Sequence, residues 1–167
     1  MRLIKKLESL GFELSVIART PVPGIKTFIA DFQDSVIPSD AFDGVDTIFH
    51  LAGYAHDLRA QPSMEKNYYR INVDSTVKLA RLALKNNVKK FIFLSSVKAC
   101  PFPQHGQCIS EKDKGEPIGI YGKTKREAEK KLLHLVKNHM HVSIIRSSLV
   151  YGPNLKGNLY LMFSGIR

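Results

Sequence analysis

Short apolar runs alternate with longer helical stretches along this chain, and this alternation constrains the fold more than any other feature of the sequence. The helical pattern is clearest over residues 65–87, where Val73, Val77, Ala80 and Leu84 recur at helical spacing. Strands separated by helices of this length pair in parallel through crossover connections. We therefore predict an α/β fold with a doubly wound parallel sheet. The predicted strands are LSVIAR (14–19), KTFIADF (26–32), VDTIFHLAG (45–53), KKFIFLSS (89–96) and HVSIIRSSLVYG (141–152).

Length, composition and charge narrow the class of protein. The 167 residues suffice for one domain with a real core, and 44% hydrophobic with 24% charged residues is ordinary for a globular protein. An amphipathic helix ending near Gly11 opens the chain in place of a signal peptide, and no apolar run approaches the roughly 20 residues of a membrane span. Cys100 and Cys108 lack metal-ligand spacing, which favours a cytoplasmic protein with free thiols and no metal. The net charge of +10 suits a polyanion, either a phosphorylated small molecule or nucleic acid.

A Tyr and a Lys stand four residues apart at the start of a basic helix, in IGIYGKTKREAEKKL (118–132). Residues i and i+4 share a helix face, so Tyr121 and Lys125 can point at one spot. A free Tyr titrates near about 10, and both a neighbouring ammonium and a helix N-terminus favour the phenolate. The pair is therefore compatible with a general base of lowered pKa. Taken by itself, however, the spacing favours the alternative, a solvated lysine-rich face.

The ends of the predicted strands favour chemistry over the solvated face. In open parallel sheets, ligands bind beyond the carboxyl ends of the strands. Tyr121 follows the loop after the fourth predicted strand, so it enters near the same edge. Polar or glycine residues end each strand: Arg19-Thr20, Asp31-Phe32, Leu51-Ala52-Gly53, Ser95-Ser96 and Arg146-Ser147-Ser148.

With these residues in view, the chain resembles the extended short-chain dehydrogenase/reductases, in particular the NAD-dependent epimerase/dehydratase family typified by UDP-galactose 4-epimerase. The resemblance runs from about residue 12 to the C-terminus and implies a Rossmann-like fold. SSVKA and YGPNLKGN are most similar to the subgroup that acts on nucleotide sugars for bacterial surface polysaccharide. The matching blocks, in the family's order, are VDTIFHLAGYAHD, YYRINVDSTVKLARLA, VKKFIFLSSVKA, ISEKDKGEPIGIYGKTKREAE and IIRSSLVYGPNLKGN.

The resemblance implies a NAD(P)-dependent nucleotide-sugar epimerase or dehydratase that oxidises and reduces the sugar at C4. Tyr121 would exchange a proton with the sugar 4-hydroxyl as a hydride passes to nicotinamide. Lys125 would hold the nicotinamide ribose and lower the pKa of Tyr121. Ser96 would hydrogen-bond the reacting oxygen, with Ser95 as its structural neighbour.

The resemblance also implies cofactor contacts. Asp31 corresponds to the family's adenine-contacting carboxylate, and Phe32 would lie beside the ring. Arg19 stands where an acidic residue would bind the ribose of NAD, and a basic residue there can accept the 2′-phosphate of NADP, so both cofactors stay open. His50 and His56 are interpreted as structural. The full implied set is Arg19, Asp31, Phe32, Leu51, Ala52, Gly53, Asn72, Tyr121, Lys125 and Ser148.

The chain departs from the family pattern towards both ends. It contains no G-x-x-G-x-x-G turn, the motif that faces the cofactor pyrophosphate. We therefore expect residues 1–167 to form a partial dinucleotide-binding domain without the first strand and Gly-rich loop. The C-terminal substrate domain is expected to be largely absent.

Three functions stay open at this point. The first is the nucleotide-sugar enzyme, expected to form a homodimer in a full-length form. The second is a catalytically inactive fragment of such an enzyme. The third is a basic nucleic-acid-binding protein, which is less favoured because the lysines are spread over several helices without interleaved aromatic residues.

Overall fold

The computed structural model describes residues 2–31, 36–55, 64–103, 108–113, 115–150 and 165. Every strand pairing recorded among them is parallel, which confirms the predicted α/β fold. The predicted residues Phe32 and His56 lie outside the described part of the chain. The helices are α1 (Arg2–Ser9), α2 (Glu65–Tyr69), α3 (Ser75–Lys85) and α4 (Gly119–Val136), and the strands are β1 (Ser15–Ala18), β2 (Lys26–Ile29), β3 (Thr47–His50), β4 (Lys90–Ser96) and β5 (His141–Ser147).

The strands form two separate sheets in the described part of the chain. One is the pair β1–β2, and the other has the order β3–β4–β5. In the larger sheet the register places His50 beside Phe93 and Phe93 beside Ile144. No pairing joins β1 to β3 within the described ranges. The break falls where the first strand of the family was expected to be lacking, and among the described residues β1 and β3 each have a strand partner on one side only.

The core lies on one face of the larger sheet. Along β4, Phe91, Phe93 and Ser95 are buried and alternate with partly exposed residues, as expected when one face of a strand is covered. Helices α3 and α4 cover that face. Their buried contributions are Leu79, Ala80 and Ala83 from α3, and Ala128, Leu132 and Val136 from α4.

Local details differ from the predictions. β3 was expected to be fully buried, but only His50 is buried in it and Phe49 is 37% exposed. Successive side chains of β3 point to opposite faces, and helices cover only the face that carries His50. Phe49 lies on the other face and is therefore partly exposed. The stretch over 65–87 is helical, but it contains a π-helical segment at Arg70–Asp74 between α2 and α3. The first helix is confirmed, and Gly11 adopts a φ of +80° where the helix was expected to end.

Candidate active site

The three predicted catalytic residues lie on elements that meet at the carboxyl end of β4. Ser96 is the last residue of β4, and its hydroxyl accepts a hydrogen bond from the backbone N–H of Lys98 at 3.2 Å. Helix α4 starts at Gly119, so Tyr121 lies in its first turn. A Cβ on Gly122 would lie 2.1 Å from the backbone oxygen of Lys98. Only glycine fits at such an approach, which brings the start of α4 against the segment that follows Ser96.

Lys125 is the most unusual side chain of the site. It is only 3% exposed, and its ammonium donates a hydrogen bond to the backbone oxygen of Leu94 at 2.8 Å. The same ammonium lies 4.5 Å from the centre of the Phe93 ring. Burial lowers the pKa of Lys125 to about 8, although the charge of Glu129 acts in the opposite direction. A buried cation whose pKa is lowered in this way is a functional candidate.

Gly53 brings the end of β3 next to this ammonium. A Cβ at Gly53 would lie 3.4 Å from Lys125 Nζ and 3.3 Å from Asn72 Oδ1. The Asn72 side chain accepts a hydrogen bond from the backbone N–H of Tyr54 at 2.7 Å and donates to its backbone oxygen at 3.1 Å. Asn72 also donates to Thr124 Oγ1 at 3.1 Å. Asn72 therefore ties the segment after β3 to helix α4, from a π-helical segment of the kind often found at functional sites.

The pKa of Tyr121 is raised rather than lowered. Burial is the main cause, a hydrogen bond with Ser96 opposes it, and the nearby Tyr68 adds to it. The predicted lowering by Lys125 is therefore wrong for this structure. The physical reason is that the Lys125 ammonium is directed to the backbone oxygen of Leu94 while the phenol loses water. The contact with Ser96 does agree with the predicted grouping of Ser96 and Tyr121.

His50 has the structural role that was expected. It is 2% exposed, its Nε2 lies 2.9 Å from Thr76 Oγ1, and its ring stacks on Phe93 at 5.6 Å. Burial, helped by the charge of Lys125, lowers the pKa of His50 to about 3. The imidazole is therefore neutral at all ordinary pH values and packs without adding charge beside Lys125.

The sequence reasoning missed a buried ionic cluster behind the site. Glu129 pairs with Arg146 through two contacts, and the Ser95 hydroxyl donates to the same carboxylate. Ser95 was interpreted only as a structural neighbour of Ser96, and Arg146 only as part of a strand end. The available signal was the spacing, since Glu129 follows Lys125 by four residues and shares its helix face.

The remaining predicted cofactor residues are distributed over two sheets. Arg19 directly follows β1 and is exposed, and Asp31 follows β2 and is partly buried. Leu51 and Ala52 are exposed after β3, and Ser148 is exposed after β5. All of them therefore follow the carboxyl ends of strands, as predicted. No group of three or more metal-ligating side chains occurs in the part of the chain that the structure describes.

Comparison with known proteins identifies the family. The NAD dependent epimerase/dehydratase family matches residues 1–162. A UDP-glucose 4-epimerase from Vibrio cholerae is 38% identical over 121 residues, which cover 66% of this chain and 35% of the relative. An N-acetyl-alpha-D-glucosaminyl-diphospho-ditrans,octacis-undecaprenol 4-epimerase from Escherichia coli O157:H7 is 31% identical over 143 residues, which cover 84% of this chain and 42% of that protein. The chain thus spans well under half the length of these relatives.

Solved structures support the same fold. The structure of MoeE5 in complex with UDP-glucose and NAD superposes with a TM-score of 0.80 at 26% identity, covering 93% of this chain and 52% of MoeE5. The complex of MoeE5 with UDP-glucuronic acid and NAD gives a TM-score of 0.82 at 25% identity, covering 96% of this chain and 54% of that one. Among the described residues, no helix is long and apolar enough to span a membrane.

Proposed function

Because this chain belongs to the NAD-dependent epimerase/dehydratase family, we propose that it carries the acid–base centre of a nucleotide-sugar 4-epimerase that uses NAD or NADP. One observation carries the proposal: a buried ammonium, Lys125, lies against Gly53 one helical turn after a phenol that interacts with Ser96. The arrangement places a proton carrier, a hydroxyl and a fixed positive charge at one end of β4.

The surroundings of Lys125 support the proposal of a bound dinucleotide. An ammonium has three donors, and one hydrogen bond from Lys125, to Leu94, is recorded among the described residues. The other donors suit the hydroxyls of a ribose. The missing side chain at Gly53 lets a flat ring or a sugar approach the ammonium closely. Arg19 and Asp31 would contact the adenosine end, where the exposed guanidinium leaves both NAD and NADP as candidates.

The chemistry of these residues follows from their pKa shifts. Oxidised NAD(P), when bound, would supply the hydride acceptor for sugar C4 and, before hydride transfer, the positive charge of its nicotinamide ring. Tyr121 would take the proton of the 4-hydroxyl, and Ser96 would hold the same oxygen by a hydrogen bond. The raised pKa of Tyr121 keeps the phenol protonated at neutral pH in the structure as it stands, so a nearby positive charge is needed to make it a base. Returning the hydride to the opposite face of C4 and the proton to the oxygen on C4 would complete the epimerisation.

We propose a UDP-sugar as the substrate, because the Vibrio cholerae relative is a UDP-glucose 4-epimerase and the MoeE5 complexes contain UDP-glucose or UDP-glucuronic acid. We place the activity in the cytoplasm, since Cys100 and Cys108 are both free thiols. A homodimer of a full-length form is the accompanying proposal for assembly, and sedimentation velocity at several protein concentrations tests it.

The test of function is a turnover assay with the purified protein at millimolar NAD or NADP. Interconversion of UDP-glucose and UDP-galactose is followed by chromatography or NMR. We expect epimerisation in the unchanged protein at this high cofactor concentration, which offsets weak binding, and turnover about 10²- to 10⁴-fold lower with Tyr121→Phe. If neither nucleotide sugar is converted with either cofactor, the proposal is wrong, and the second candidate, an inactive fragment, is favoured by the short span of the chain relative to its relatives.

A further inference from the structure

Glu129 lies at the centre of a buried cluster that joins three elements. Its carboxylate receives Arg146 Nε on Oε1 at 3.0 Å and Arg146 Nη2 on Oε2 at 2.6 Å. The Ser95 hydroxyl donates to Oε1 at 2.5 Å. Glu129 is 2% exposed and Ser95 is also 2% exposed. A bidentate pair of this kind fixes direction as well as distance.

The cluster stands one helical turn from the acid–base groups. Glu129 follows Lys125 by four residues and Tyr121 by eight, so all three project from one side of α4. Four residues correspond to about 6 Å along a helix. Ser95 immediately precedes Ser96, and the sheet register pairs Ser95 with Arg146. The cluster thus attaches α4 to β4 and β5 beside the hydroxyl that contacts Tyr121.

Stability alone does not account for this cluster. Burying two charges costs about as much as their attraction returns, and well-packed apolar residues often serve as well. The neighbouring contacts of α4 with the sheet, through Ala128, Leu132 and Val136, are apolar. Apolar contacts resist separation but tolerate small rotation and sliding, whereas the bidentate pair does not.

We propose that Glu129 is a positioning residue, whose carboxylate, held by Arg146 and Ser95, fixes the rotation and axial position of helix α4 and so brings Tyr121 to Ser96 and Lys125 to Leu94. This rests on the proposed function, because the groups it positions are the acid–base groups of that reaction. Gly122 provides the other fixed point of α4, where the helix touches the Lys98 carbonyl. Two fixed points on one helix determine its placement.

The test uses the titration of Lys125 as a reporter of where α4 sits. Burial lowers the pKa of the ammonium to about 8, and the titratable or charged groups around it are His50, Tyr121 and Glu129, with Arg146 and Arg126 paired to Glu129. Lysine side-chain NMR follows the titration of Lys125, and the resonance is assigned by its absence from a Lys125→Met sample. Glu129→Asp keeps the charge but shortens the reach. The matched control is Glu127→Asp on the same helix. It shortens the acidic side chain of an exposed ion pair, in which Glu127 lies 3.5 Å from Lys131.

We expect Glu129→Asp to raise the Lys125 midpoint by about one unit or more towards the ordinary lysine value near 10.4, because displaced Lys125 regains water. The control should leave the midpoint at about 8. An unchanged midpoint in a folded Glu129→Asp protein overturns the proposal.

If the Glu129→Asp protein does not fold, the double variant with Glu129→Leu and Arg146→Leu tests the proposal instead. That pair removes one charge of each sign, but the Glu129 charge raises the pKa of Lys125, so its loss alone lowers the midpoint and only movement of Lys125 towards water raises it. A rise supports positioning, and a constant or lower midpoint overturns it. No substrate or cofactor takes part, so the result is independent of whether the proposed reaction occurs.

Discussion

The two sheets of this molecule differ in the length of their strands and in how deeply their side chains are buried. In the larger sheet, β4 and β5 each run for seven residues, and Phe91 and Phe93 are completely buried. In the smaller sheet, both strands have four residues and neither contains a buried one. The proposed acid–base groups belong to the first region, and the predicted adenosine contacts follow the strands of the second. The difference indicates that the geometry for proton transfer can be well formed while the nucleotide side of the same site is weak.

The most severe test of this contrast is Tyr121→Phe, which removes only the phenolic oxygen. If the larger sheet holds a working acid–base centre, turnover should fall by about 10²- to 10⁴-fold, the usual contribution of a positioned proton carrier. Cofactor binding should change little. Tyr69→Phe is the matched control, because Tyr69 is 38% exposed on α2. Turnover of the Tyr121→Phe protein near that of the control would refute the acid–base assignment.

A second prediction concerns the smaller sheet: a protein of residues 1–167 should bind NAD and NADP poorly. The sequence has no Gly-rich turn to present backbone N–H groups to the pyrophosphate. Charge-assisted bonds to phosphate are worth about 1.5–3 kcal/mol each, so lacking two or three weakens a micromolar ligand by several powers of ten. Calorimetric titration with each cofactor measures this. Saturable binding in the low micromolar range would contradict it and would mean that another segment holds the phosphates.

Much of the larger sheet was predictable from the sequence, because its signals are local and strong. Alternating burial along β4 follows from one covered face, and the i,i+4 spacing placed Tyr121 and Lys125 on one side of α4. The positions of Ser96 and Gly53 followed from the rule that parallel strands end at one edge. The predicted lengths of β1, β2 and β3 were too long, because an apolar run does not show where pairing stops.

The environment of each charge could not be predicted from the sequence. Whether Lys125 lowers the pKa of Tyr121 depends on the direction of the ammonium, and the structure directs it to the Leu94 carbonyl. The Glu129–Arg146 pair joins residues 17 positions apart on different elements, and only tertiary packing brings them together. The π-helical segment around Asn72 likewise has no simple sequence signature.

The third prediction compares the two sheets directly by hydrogen exchange. Open edges leave backbone groups of β1 and β3 without strand partners in the described part of the chain. Amides of the smaller sheet, such as that of Ile17, should exchange through local opening that costs at least about 2 kcal/mol less than for Phe93 in β4. We also expect a thermal midpoint below about 50 °C. Equal protection in both sheets, or a cooperative transition well above that temperature, would show that the contrast has no energetic meaning.

The smallest expected effect is on folding stability, at Lys125 in the region of the larger sheet. The pKa of this lysine is about 8 in the folded protein and near 10.4 in an unfolded chain. Between these values the unfolded chain binds more protons, so folding stability rises with pH, and below about 8 the full cost of the buried charge is present. Lys125→Met removes the charge and keeps most of the volume. It should therefore raise the free energy of unfolding at pH 7 by about 1–2 kcal/mol, less than the shift implies because the Leu94 carbonyl loses its donor.

The pH dependence makes this last prediction specific to the buried charge. The advantage of Lys125→Met should shrink as the pH rises through 8 and be gone near about 10.4, because Lys125 is then neutral in both the folded protein and the unfolded chain. Lys131→Met is the control, since that ammonium is exposed in an ion pair with Glu127. Urea unfolding at several pH values measures both variants. A stabilisation independent of pH would point to simple packing, whereas the predicted decline, together with loss of turnover, would show that the well-built half of the molecule keeps a destabilising residue because the chemistry needs it.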